Sequence, residues 1–306
     1  TISQYRTFSG NYTNLSRRFQ YSLQGFSMEQ FFYGTGSYFY DPAYNPIFLD
    51  RDNALATRTM RGGSAFGIYP FDRYRRVEIF GSVINYNERY NDPTLEEYSN
   101  NYQEEVYGTQ LFRSGTSVPL GVAFVQETTV FREFGPLSGN TMRLSYETAP
   151  KIGNSLSYQT ADIDVRKYIG LGGSGLLALR GKAFKSWGAA PDFTYYGGNS
   201  ELRGYEYLEF LGHNVYFMNA ELRFPLIEAM LTPLGVLGGV RGVFFFGTGG
   251  AFFNDEPFQF SSSKTESYTP YLGSDVDPAT GAPIPIFGPP VDITGFRLRD
   301  GKASYG

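Results

Sequence analysis

Residues 197–226 read GGNSELRGYEYLEFLGHNVYFMNAELRFPL, and this stretch decides the fold. From Tyr216 onward it alternates. Tyr216, Met218, Ala220, Leu222 and Phe224 fall on one side of a strand, and Phe217, Asn219, Glu221 and Arg223 on the other, because successive strand side chains point to opposite faces. The half before it is a polar, glycine-rich loop carrying a buriable Arg203-Gly204-Tyr205 and delivering the chain into that strand.

Composition agrees with a chain made of such strands. Aromatic residues are 18% of the 306, with 25 Tyr, 28 Phe and one Trp, beside 37 Gly. Many strands with aromatic ends and glycine-rich turns look like this, and few helical domains do. The net charge of −4 gives no support for a nucleic-acid partner. Cysteine is absent, so disulfides and thiolate metal sites are excluded. No apolar run reaches the roughly 18 residues that a membrane-spanning helix needs, and the mean hydropathy is −0.30. The most apolar stretch, 226–253, is broken by Glu228, Pro233, Arg241 and glycines. Single strands crossing a bilayer need no such run, since only alternate residues face lipid. No signal peptide is visible at Thr1, so the reading is of a mature chain or a cut-out piece.

Strand signals follow one another over 2–12, 18–32, 54–69, 75–90, 118–131, 140–149, 155–168, 175–186, 213–224 and 240–253, with another beginning near 302. Most exceed the 5–6 residues usual in soluble sheets and suit the roughly 9–11 that a tilted membrane strand needs. Charges keep to one face. Arg143, Ser145 and Glu147 oppose Met142, Leu144 and Tyr146; Asp162, Asp164 and Arg166 oppose Ala161, Ile163 and Val165; Arg180 and Lys182 oppose Leu177, Leu179, Gly181 and Ala183. A sandwich has apolar inner faces, whereas a barrel with a wet lumen shows this pattern. The earlier strands alternate less clearly. Connectors 13–17, 70–74, 132–139 and 169–174 are short and 225–239 intermediate, while 33–53, 91–117, 187–212 and 254–301 are long. The two classes alternate except at 149–154, as short turns on one side and long loops on the other require. The loop 254–301 is Ser/Pro/Gly-rich and reads as mobile or surface-exposed.

Together these predict an all-β fold: a transmembrane, antiparallel, up-and-down β-barrel occupying 1–306 as a single, partial domain. About ten full strands and the start of an eleventh are present. Two linked motifs add a resemblance. Leu202-Arg203-Gly204-Tyr205 followed by Ala220-Glu221-Leu222-Arg223-Phe224-Pro225 resembles the BamA/TamA-type barrel family of outer-membrane insertases, also called bacterial surface antigens. The resemblance is strongest over 118–253. It implies a sixteen-stranded barrel whose first and last strands are missing here, with periplasmic repeat domains upstream. It also implies that the loop 187–212 folds back into the lumen, that 254–301 is a long extracellular loop, and that the chain lies in the bacterial outer membrane.

An arginine carried into a partly dehydrated lumen needs acceptors, and Glu221, on the lumen face of the next strand, is the partner expected for Arg203. The family adds an aspartate one strand later in a Phe-x-Asp-x-Gly pattern. Here Phe245-Phe246-Gly247-Thr248-Gly249 puts Gly247 at the acidic position, which predicts a weaker lock or a substitute acid such as Asp162 or Asp164. Gly170-Leu171-Gly172-Gly173-Ser174-Gly175 matches G-x-G-x-x-G, but a strand rather than a helix follows, so it reads as a tight turn. Asp50-Arg51-Asp52-Asn53 and Asp275/Asp277 lack calcium-loop spacing and read as solvated acids. His213 is the sole histidine, and no serine lies in a G-x-S-x-G elbow. No catalytic residue, metal site or cofactor is expected. The turn Tyr69-Pro70-Phe71-Asp72-Arg73-Tyr74-Arg75-Arg76 has two readings: a patch for anionic headgroups or a periplasmic partner, or a hairpin turn with solvated arginines.

The resemblance implies a non-catalytic role in inserting or translocating polypeptides, with the lipid bilayer, client or passenger chains and periplasmic accessory proteins as partners. Two alternatives stay open on the same fold: a passive pore or secretion channel, and a membrane anchor for an upstream enzymatic or propeller domain. A soluble β-sandwich is the structural alternative.

Overall fold

The computed structural model describes residues 7–33, 55–108, 110–132, 135–172, 175–233, 235–276 and 283–306. The chain forms two compact units, residues 1–256 with 303–306, and residues 257–302. The first unit opens with the strands β1 (Phe8–Asn14), β2 (Gln20–Tyr33), β3 (Leu55–Pro70) and β4 (Arg75–Tyr90), then a helix, α1 (Pro93–Tyr107). It continues with β5 (Gly115–Ser117), β6 (Leu120–Glu127), β7 (Val130–Arg132), β8 (Gly135–Ala149), β9 (Tyr158–Gly170) and β10 (Leu176–Gly188). Then come β11 (Thr194–Tyr196), β12 (Phe210–Gly212), β13 (Asn214–Thr232) and β14 (Gly235–Phe252). The second unit holds β15 (Ser261–Tyr268), β16 (Tyr271–Val276), β17 (Pro283–Phe287) and β18 (Val291–Leu298). The last strand, β19 (Lys302–Tyr305), returns to the first.

One antiparallel sheet runs β1-β2-β3-β4-β6-β8-β9-β10-β13-β14-β19, each strand beside the next, with β5 on β4 and β7 on β8. This is an up-and-down order. Its register sorts the side chains as the alternation requires: Leu177 faces Leu222, Leu222 faces Phe244, and Ala220 faces Phe246. On that apolar face Met218, Leu222, Phe244 and Phe246 are exposed, as are Leu144, Ile163, Val165 and Leu179. On the other, polar face the ion pairs cross strands. Glu78 takes Arg76 at 2.8 Å and also Arg143, while Asp164 takes Arg166 and Arg180, both at 2.9 Å. In each case one arginine lies two residues away on the same strand, where the pleat returns it to the same face. The second comes from another strand. Arg143 reaches Glu78 across β6, where the intervening residue Ala123 is small.

Several boundaries differ from the sequence reading. The connector 225–239 is largely strand: β13 continues through Pro225 to Thr232, and β14 starts at Gly235. A register shift between Pro225 and Ile227 accommodates the proline, which has no N–H to give to the ladder. Connector 91–117 contains α1, which the lack of helical periodicity had hidden. Its start is a local signal, with Pro93 in the first turn after Asp92, whose carbonyl accepts from Glu96 N at 3.3 Å. The strand 118–131 is divided into β6 and β7, and 132–139 gives way to the start of β8 at Gly135. The exception at 149–154 resolves as the eight-residue connector 150–157, at the same strand ends as the connectors 91–117 and 187–212. The second unit, 257–302, contains paired strand, β15 with β18 and β16 with β17.

Candidate functional site

The polar face of β10, β13 and β14 carries a feature at odds with its polarity. Phe217 and Val215 lie on the same side as Asn219 and Glu221, and both are buried. What covers them is the chain between β10 and β13. Its strands β11 and β12 pair, placing Tyr196 opposite Phe210. Tyr196 stacks on Phe217 with ring centroids 5.8 Å apart and an angle of 13°. Tyr196, Leu202, Val215 and Phe217 form the buried cluster, with Phe184, Tyr205, Phe210 and Ala251 against it. Burying a side chain the size of Leu or Phe contributes about 1.5–3 kcal/mol, so this cluster, rather than any ion pair, does most to hold the loop in place.

The tip is then fixed by polar contacts. Arg203 Nη2 donates to Glu221 Oε1 at 2.8 Å, its Nε donates to the Asn199 carbonyl at 3.3 Å, and its guanidinium lies over the Phe245 ring at 4.8 Å. Glu221 also receives Arg223, at 2.8 Å, giving a third carboxylate held between two arginines. Gly204 has φ of +85°, a conformation that a Cβ would strain. Tyr205 Oη donates to the Ala303 carbonyl of β19 at 3.2 Å. Asn219 Nδ2 donates to the Glu201 carbonyl, and Arg180 Nη1 donates to the Ser200 carbonyl at 3.1 Å.

Gly247 is where the loop meets the wall. A Cβ there would stand 3.0 Å from Leu202 Cδ1 and 2.6 Å from Asn219 Oδ1. The space an aspartate would need is taken by Asn219 and Leu202 together. Among the described residues neither Asp162 nor Asp164 is a direct partner of Arg203: Asp164 binds Arg166 and Arg180, and Arg180 also reaches the loop, at the Ser200 carbonyl. The sequence reading had no role for Leu202, Phe245, Asn219 or Arg180. One signal was available, because an aromatic residue at 217 on an otherwise charged face requires an apolar cover.

The other candidates separate. The described ends of the glycine run meet between β9 and β10, where Leu171 N donates to the Gly175 carbonyl at 3.0 Å and Gly175 N to the Gly172 carbonyl at 3.1 Å. Asp50 to Asn53 and Asp277 lie outside the described residues. His213 is buried against Phe253, and its Nδ1 has no hydrogen-bond partner among the described residues. Burial, with the Arg113 charge second, holds its pKa below the ordinary value, and Asp255 opposes them. In the turn at 71–74, the Asp72 carboxylate accepts from Tyr74 N at 2.8 Å and Arg75 N at 2.9 Å, and pairs with the Arg75 guanidinium. What this site can do, on these residues, is hold a loop against a wall and tie it to the edge strand β19.

No family model matches the chain, and no curated protein matches it. Among solved structures it is similar to the crystal structure of BamA from Haemophilus ducreyi lacking POTRA domains 1–3, at 12% identity and a TM-score of 0.54. The match covers 98% of this chain and 62% of that one, so the chain spans less than two thirds of the structure it resembles. At that identity the likeness shows the fold: an up-and-down antiparallel β-barrel.

Proposed function

We propose that this chain is the membrane-embedded barrel of a BamA-like protein, integral to a bacterial outer membrane, which inserts or translocates other polypeptides and makes or breaks no covalent bond. The observation that supports this reading is the loop packed on the charged face of the sheet: Arg203 on Glu221, Leu202 buried against Gly247, and Tyr205 on the β19 backbone. A loop braced against the wall and tied to the edge strand β19 suits a barrel whose edge strands exchange partners. The exposed apolar face of Met218, Leu222, Phe244 and Phe246 supports a lipid setting, because a charge-lined face opposite it suits a water-filled lumen. The partners of this reading are the bilayer, unfolded client or passenger chains that pair with a strand edge, and periplasmic accessory proteins.

The test is reconstitution of the full-length protein in lipid vesicles with an unfolded barrel client. The wild type speeds client folding, and Arg203→Ala slows it at least several-fold while the variant itself stays folded. A large, steady conductance together with client folding unchanged by Arg203→Ala would favour the pore and overturn the proposal.

A further inference from the structure

The two hairpin turns at the β1–β2 and β3–β4 ends form one patch. Arg18 Nε donates to the Pro70 carbonyl at 3.0 Å and its Nη2 to the Phe71 carbonyl at 2.8 Å, while its guanidinium lies over the Tyr69 ring at 4.9 Å. Phe19 lies over Gly67 and stacks on Tyr21 at 6.3 Å, and Tyr69 meets Phe71 edge-on at 5.7 Å. Phe19, Tyr69, Phe71 and Tyr74 are nonetheless exposed. Tyr69 and Tyr21 share the face on which Leu23 and Ile79 are also exposed, as the register of β2, β3 and β4 requires. An exposed aromatic ring at strand ends is the arrangement that settles at the level of lipid headgroups.

Five arginines crowd these turns, and the acids present answer only some of them. Arg75 is taken by Asp72 at 2.7 Å, Arg76 by Glu78 at 2.8 Å and Glu127 at 3.5 Å, and Arg18 by backbone carbonyls. Arg17 has no carboxylate partner among the described residues, and Arg73 has only the face of Tyr74, 5.7 Å away. Asp72, beside Arg73, is committed to its own turn through Tyr74 N and Arg75.

We propose that this patch binds the phosphate of an anionic phospholipid headgroup, with Arg17 and Arg73 supplying the charge and Phe19, Tyr69, Phe71 and Tyr74 seating on the glycerol and upper acyl region. The inference rests on the membrane reading above. It adds that the leaflet at the short-turn end is held by charge as well as by apolar area.

The experiment compares the barrel and its Arg17→Gln/Arg73→Gln double variant in vesicles of phosphatidylcholine with and without phosphatidylglycerol, followed by native mass spectrometry of retained lipid. Wild type retains phosphatidylglycerol over phosphatidylcholine. The double variant loses that preference by about 30-fold, the equivalent of about 2 kcal/mol at roughly 1 kcal/mol per surface cation. Lys151→Gln, in the connector at the opposite end of the strands, leaves it intact. An unchanged preference in the double variant overturns the proposal, and so does displacement of the lipid by millimolar inorganic phosphate, which would mark a simple anion site. Insertion into the vesicles separates the two readings: a barrel that inserts but shows no arginine-dependent preference sinks this inference alone, and one that does not insert sinks the membrane reading.

Discussion

Leu202 and Gly247 exclude each other's alternatives: the leucine side chain lies 3.0 Å from the point where a Cβ at 247 would begin. Leu202 is fully buried there. The Asn219 Oδ1 atom stands closer still, at 2.6 Å, so the loop residue and the wall residue together leave no room for a side chain at 247.

Gly247→Asp therefore overpacks the contact and should cost about 1–3 kcal/mol, read as a lower thermal midpoint in detergent. Leu202→Ala should cost about 2–5 kcal/mol by cavity formation. The double variant should cost less than the sum, because removing the leucine relieves one of the close contacts while Asn219 Oδ1, 2.6 Å away, remains. Strict additivity of the two losses would show that the residues do not share the space.

Arg203→Lys should retain part of the Glu221 attraction but lose the fork and the stacking on Phe245. Arg203→Ala leaves Glu221 with Arg223 as its one cationic partner among the described residues. Limited proteolysis between residues 198 and 209 should rank cleavage as wild type slowest, lysine intermediate and alanine fastest. Equal rates for lysine and alanine would mean that charge contributes nothing to the lock.

Tyr205→Phe deletes only the hydroxyl that holds the Ala303 carbonyl, a loss of about 0.5–1.5 kcal/mol. The effect should be local. Amide exchange at Phe245 and Gly306, which bond each other across β14 and β19 at 2.7 and 3.1 Å, should speed up while exchange in β8 and β9 stays unchanged. Uniform acceleration would point to global destabilisation instead.

The two faces should respond oppositely to charge. Met218→Arg, on the exposed apolar face, should reduce folding into lipid vesicles by about 2–4 kcal/mol if the site lies near the midplane. Ser145→Arg, which stands directly across from Asp162 on the polar face, should fold normally. Folding yield measured by gel mobility with and without heating distinguishes them.

His213 sets a pH dependence. Its pKa in the folded chain lies below its ordinary value, so the unfolded chain binds the proton more readily. Stability from this group is complete above about 6.5 and is lost as pH falls below that value. The unfolding midpoint of wild type should drop on acidification through that window, and the drop should shrink in His213→Asn. Parallel profiles would remove the histidine from the account.

Alternation made the strands and their two faces legible from residues alone. Charge at 143, 164, 180 and 221 could be assigned to one side because a pleated strand has a period of two, whatever surrounds it. The helix at 93–107 and the two paired strand sets of the second unit were not legible, since short elements in long connectors carry too little periodicity. Pro225 was misread as a strand end because the register shift that tolerates it belongs to the pairing of β13 with β14 and not to either strand.

By itself the sequence determined the strand order, the side on which charge lies, and the resemblance of the Arg203 motif, all of which depend on neighbours along the chain. Only the tertiary structure decided that Leu202 and Asn219 crowd Gly247, that Phe245 stacks on Arg203, and that Arg180 links Asp164 to Ser200. Those contacts join residues dozens of positions apart, or set a loop against a wall. Which atoms fill a shared space is fixed by packing in three dimensions, and no spacing in the sequence encodes it.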